Sequence, residues 1–130
     1  MKMLRTILCL LLLLPLMQVA AQDDIGRKLN STIKDGDAIS LSKHFNTRVD
    51  ITLPSVDDTF SQNHATQVLK DFFTKYPPSS FIINHDGTSN DGSLYLIGTY
   101  KSGDNTFRVY ILLKKSADRF KIFQLQFEKK

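Results

Sequence analysis

From Ser80 onward the chain switches from helical to strand periodicity and does not switch back. Phe81-Ile82-Ile83 begins one extended segment, Leu94–Lys101 forms a second, Thr106–Lys115 a third and Arg119–Glu128 a fourth. The joints, Asp86–Gly92, Ser102-Gly103-Asp104-Asn105 and Ser116-Ala117-Asp118, are made of turn-forming residues. Four strands in succession on short connections predict a meander, and a meander is antiparallel.

Its register can be read from burial. A two-residue turn at Gly103-Asp104 sets Tyr100 against Phe107, Gly98 against Val109, Leu96 against Ile111 and Leu94 against Leu113. A three-residue turn at 116–118 brings Phe123, Leu125 and Phe127 onto the same face. A slip of one residue in either pairing would scatter this apolar set to both sides of the sheet. The opposite face carries Tyr95, Ile97, Thr99, Arg108, Tyr110, Leu112, Ile122, Gln124 and Gln126. It is more apolar than a solvated face, so it is expected to enclose a pocket or meet another subunit. Gly98 in mid-strand marks a bend or a close backbone approach.

The segment before the meander is mainly helical. Ile25, Leu29 and Ile33 recur four apart over 23–35, one narrow helical stripe. Asp37 can cap a second short helix reaching Phe45, with Ile39, Leu41 and Phe45 inward. Arg48 to Leu53 alternates as a half-buried strand ended by Pro54. Ser61 caps a helix over 62–75, whose Ala65, Val68, Leu69, Phe72 and Phe73 follow the helical period until Pro77-Pro78 forbids continuation. The expected fold is α+β: N-terminal helices packed on a strongly curved, mostly antiparallel sheet, in the order helix, helix, strand, helix, four strands.

The first residues have the plan of a secretory signal peptide. Lys2 and Arg5 precede an apolar run from Ile7 to Leu14, and Val19-Ala20-Ala21 supplies small residues for cleavage after Ala21. The run is too short to span a bilayer, which takes about 20 residues. Cleavage at that point would take the leader, residues 1–21, from the 130 and leave one domain of 109, residues 22–130. It would also take Cys9, the only thiol, so the exported form has no disulfide or thiolate chemistry. An export signal without cysteines suits a periplasm. With Lys2 and Arg5 gone, the formal charge falls from +4 to +2, too balanced for nucleic-acid binding.

Over almost the whole exported chain the sequence resembles the nuclear transport factor 2-like superfamily. The likeness rests on "GDAISLSKHFNTRVDITLP", on a long helix ending at Pro-Pro, and on "FIINHDGTSNDGSLYLIGTY" and "FRVYILLKK". Within the superfamily it is most similar to small exported proteins of Bacteroidota-type bacteria, a family without a defined function. The resemblance implies a cone-shaped domain, often dimeric through its sheet, and no single activity.

Candidate chemistry is sparse. "NHDGTSNDGS" at 84–93 fails as a calcium loop, because the sixth and twelfth positions from Asp86 are Asp91 and Ile97, where Gly and Glu are needed. Its Asp-Gly pairs predict a bend, with both glycines at positive φ. In enzymes of the superfamily a base faces the inside of the cone. Here the candidates for catalysis are His85, which would share the inward face of Phe81 and Ile83, and Asp50, with Tyr110 as hydrogen-bond donor. That arrangement would suit a cofactor-free isomerase or hydro-lyase of ketosteroid-isomerase type acting on a small apolar substrate. It would fail if aromatic side chains fill the cone. The preferred reading is a non-catalytic module for binding or self-association in the periplasm. It would act through Tyr95, Ile97, Thr99, Arg108, Tyr110, Leu112, Gln124 and Gln126, with a second copy, a peptide or a small apolar ligand as partner. No cofactor, metal, nucleic acid or membrane is expected to take part.

Overall fold

The structure, a computed structural model, describes residue 22 and residues 24–130, so the leader expected over 1–21 lies outside the described residues. A first helix, α1, covers residues 24–34 and buries Leu29 and Ile33 completely. Asp37 then caps α2 (Ala38–Ser42), accepting hydrogen bonds from the Ser40 backbone N–H at 3.0 Å and from its hydroxyl at 2.7 Å. Those two bonds hold the Asp37 carboxyl below the usual carboxylate range. This helix is shorter than its sequence suggested. Phe45 begins strand β1 (Phe45–Leu53) because it pairs in parallel with Ile122, and Ile39 points outward, 54% exposed.

Pro54-Ser55 turns the chain into β2 (Val56–Ser61), a strand the sequence did not reveal. Its Asp57, Asp58 and Thr59 read as loop, but a polar edge strand needs only one partner, and β1 provides it. Ser61 accepts a hydrogen bond from the His64 N–H and caps α3 (Gln62–Lys75), within the bounds its pattern predicted.

Strands β3 (Ser80–Thr88), β4 (Leu94–Ser102), β5 (Asn105–Ser116) and β6 (Arg119–Lys129) complete a curved, unclosed six-stranded sheet in the order β2-β1-β6-β5-β4-β3. All neighbours are antiparallel except β1 and β6. The β4–β5 register is the expected one, from Leu94 opposite Leu113 to Tyr100 opposite Phe107.

Two parts of the meander depart from expectation. Ala117 and Asp118 make a two-residue turn between Ser116 and Arg119, at φ of 50° and 66°. A bulge then follows, with Leu113 opposite Ile122 but Leu112 opposite Gln124. The extra residue reverses the parity of the start of β6. Ile122, expected on the outer face, is fully buried in the core. Phe123, expected in the core, is half-buried outside, with the Lys114 ammonium 5.3 Å from its ring centre.

In the stretch 84–93, β3 runs on to Thr88, and the turn lies over residues 89–93, closed by the Ser89 N–H donating to the Ser93 carbonyl. Gly92 has the expected positive φ of 85°. Gly87 does not, and its missing side chain serves another purpose. A Cβ there would collide with the phenol ring of Tyr95, which lies across it.

The concave face carries an aromatic core under α3. The Phe72 ring lies 4.7 Å from Phe127 and 5.4 Å from Phe107, and Tyr100 lies 5.4 Å from Phe127. Tyr100 is fully buried, and its hydroxyl donates at 2.5 Å to the carbonyl of Tyr76 at the C-terminal end of α3. Burial pushes this phenol well above the usual tyrosine range.

Candidate functional site

Pairing partners place the sequence-derived surface residues on a grid across the convex face. One row runs Asp50, Gln124, Leu112, Tyr95 and Gly87 from β1 to β3. The next runs Thr52, Gln126, Tyr110, Ile97 and His85, and a third joins Glu128, Arg108, Thr99 and Ile82. The eight residues expected to form one surface are therefore brought together, and alternation along each strand is the reason.

The grid changes chemistry across its width. On β1 and β2, Thr59 donates to Asp50 at 2.5 Å and Thr52 donates to Asp57 at 3.1 Å, an acidic and hydroxylated flank. Two amides, Gln124 and Gln126, follow on β6. Beyond them Leu112, Tyr110, Tyr95 and Ile97 form a half-buried apolar strip, continued at the edge by Ile82, 61% exposed. No described helix covers this face; α3 and its aromatic contacts lie on the other. Arg108, Tyr110, Gln126 and Glu128 enclose a dent of about 110 Å³, large enough for a side chain or a few waters.

The catalytic candidates do not form the arrangement that an isomerase or hydro-lyase would need. A bulge between Ile83 and His85 leaves Asn84 as the extra residue and sets His85 opposite Ile97, on the convex side. His85 therefore leaves the inward face of Phe81 and is exposed. Asp50 is exposed on the same convex side and bonded to Thr59, with no cation partner among the described residues. The concave side, where a base would need an enclosed cavity, is filled by Phe72, Phe73, Phe81, Tyr100, Phe107 and Phe127. Phe123, expected on this face, lies outside it because of the bulge in β6. A recess beside this core is an open groove of about 220 Å³ between the β1–β2 turn and the end of α3, with Leu53, Val56, Val68 and Phe72 among its walls beside Asp71 and Lys75, and neither His85 nor Asp50 lines it.

The sequence reading missed a second feature. At the end of the molecule bearing the β5–β6 turn, Lys28, Lys43, His44, Arg119 and Lys121 line a recess of about 540 Å³. These residues are scattered over more than 90 positions, so no run of charge announces them. Burial, then the Lys28, Lys121 and Lys43 charges, hold the His44 imidazole below its usual 6.5. Among the described residues no group of three or more His, Cys, Asp or Glu side chains is placed to hold a metal.

A protein from Bacteroides uniformis, described as of the DUF4783 family, superposes with a TM-score of 0.75 at 24% identity, over 80% of this chain and 95% of its own. One from Bacteroides ovatus, described in the same way, superposes with a TM-score of 0.74 at 29% identity, over 79% of this chain and 93% of its own. A nuclear transport factor 2-like protein of unknown function from Shewanella baltica shares the fold at 12% identity, with a TM-score of 0.65 over 88% of this chain and 95% of its own. No curated protein matches the sequence. The fold is thus nuclear transport factor 2-like, and the family described as "Domain of unknown function (DUF4783)" matches residues 27–128, from within α1 almost to the end of β6: the chain belongs to that family.

Proposed function

We propose that this is an exported self-association module whose convex sheet face pairs with the same face of a second copy. One observation carries the reading: the strip of Tyr95, Ile97, Tyr110 and Leu112 stands on a sheet whose other face already holds the core. A sheet needs one apolar face to fold; a second one is explained by a partner. Tyr and Arg are the residue types enriched in interface cores, and both are present. The face also holds complementary charges, Arg108 beside Glu128 with Asp50 across the sheet, so a two-fold pairing can match cation to carboxylate.

The test is light scattering on residues 22–130. The wild type is expected to be dimeric at about 100 μM, and Tyr110→Glu is expected to weaken association by about 30-fold or more, the scale of an interface hot spot. Far-ultraviolet circular dichroism should be unchanged, since Tyr110 is outside the core. A monomeric wild type, or a variant that associates equally well, overturns the proposal.

A further inference from the structure

We infer that the recess around His44 is a binding site for a compact phosphate-bearing molecule, and that binding there is coupled to protonation of His44. Three separate parts of the chain build it. The first turns of α1 contribute Asp24, Ile25 and Lys28; the end of α2 contributes Lys43 and leads into His44; the β5–β6 turn and the start of β6 contribute Asp118, Arg119, Phe120 and Lys121. The floor is fixed by backbone bonds: the His44 N–H donates to the Leu41 carbonyl at 3.1 Å, and the Ile122 N–H donates to the His44 carbonyl at 2.7 Å. Lys121 is steadied by the Lys43 carbonyl, 3.5 Å from its ammonium.

The charge balance of this lining is positive. Four cations, Lys28, Lys43, Arg119 and Lys121, face two carboxylates, Asp24 and Asp118. Asp24 pairs with Lys28 at 3.5 Å and with Arg27 at 3.6 Å, which leaves Lys43, Arg119 and Lys121 facing Asp118. A fifth cation stands at the margin, the Lys115 ammonium 5.4 Å from the Phe120 ring centre. The charges gathered here disfavour a further cation in the recess, as at His44, and would attract an anion. Lysine ammoniums act as point charges without a planar fork, and that suits a multiply charged phosphate better than a single carboxylate. Ile25 and Phe120 supply apolar wall for a small organic body attached to it.

His44 reports on the site. Burial and then the Lys28, Lys121 and Lys43 charges disfavour its imidazolium, and a bound phosphate would offset those charges. Reciprocity then requires that protonation of His44 favour the phosphate to the same extent.

The experiment is an NMR titration of the His44 ring protons with inorganic pyrophosphate at constant ionic strength, so that simple screening of the lysines is held fixed. The expected result is a rise of about half a unit or more in the His44 pKa, equivalent to about 3-fold or more tighter binding with the imidazole protonated than with it neutral. Lys43→Gln/Lys121→Gln should lower affinity about tenfold, and its unfolding temperature shows whether the fold is kept; Lys28→Gln, at an exposed position, gives the same test apart from the floor. Co-sedimentation with phosphatidylglycerol vesicles, with and without pyrophosphate, tells a lipid headgroup from a free phosphate, and binding of either through these lysines sustains the inference. A His44 pKa unmoved by about 10 mM pyrophosphate, a concentration that would reveal even weak binding, or a shift of equal size in the lysine variants, overturns it.

Discussion

Gly98 sits on the concave face of β4, opposite Val109, under the ring of Phe81. A Cβ there would lie 2.7 Å from the Ile82 carbonyl and 2.8 Å from the Phe81 ring. Backbone cannot retreat as a flexible side-chain end can, so Gly98→Ala is expected to cost about 1–3 kcal/mol in chemical denaturation. Gly26, in the first turns of α1, meets nothing within 4 Å, and the same substitution there should be neutral or stabilising by about 0.5 kcal/mol. Equal effects at the two positions would contradict this account. The sequence announced that Gly98 had a backbone role, because a glycine weakens a strand interior for no local gain. It did not say which neighbour approached. Gly87 misled in the same way: Asp-Gly is a turn signal, yet the residue lies within β3 and makes room for Tyr95, eight positions further on.

The β5–β6 hairpin shows how one element can be read correctly in kind and wrongly in parity. Ala117 and Asp118 both occupy the left-handed region, where a side chain is strained, and Ala117 has no polar group to compensate. Ala117→Gly should relieve that strain and stabilise the domain by about 0.5–1 kcal/mol, measured as a shift of the unfolding midpoint. A destabilised variant would mean that the turn is not held as described. The alternation of Arg119–Glu128 predicted a strand and placed Leu125 and Phe127 correctly, because they lie beyond the bulge. Ile122 and Phe123 lie at it, and a bulge leaves no mark on hydrophobic periodicity. The β2 strand escaped notice for a related reason: its stability comes from β1, and its own residues favour a loop. The candidate surface was legible because seven of its eight residues needed only the β4–β5 register and the end of β6, and Gln124 keeps its side either way.

At the scale of the whole molecule, charge that is dilute in sequence becomes concentrated in space. The same cations that line the His44 recess make its protonation unfavourable in the folded state. A folded pKa below the unfolded value means that the unfolded chain takes up the proton first. His44 therefore costs nothing above pH 6.5 and progressively destabilises the fold as pH falls below it. His44→Gln should accordingly lose less stability than the wild type between pH 7 and pH 5, as measured by thermal unfolding at each pH. Parallel losses in the two proteins would show that the imidazole is not held low.

The amino-acid sequence alone determined the α+β class, the long capped helix, the four-stranded meander and the two-sided apolar character of its sheet, because each depends on propensity and on patterns within about a dozen neighbours. Only the tertiary structure decided the sixth strand, the filling of the cone by aromatic rings, the outward turn of His85 and the gathering of Lys28, Lys43, His44, Arg119 and Lys121 at one end. Those features depend on bulges and on contacts between distant segments, for which local periodicity carries no signal.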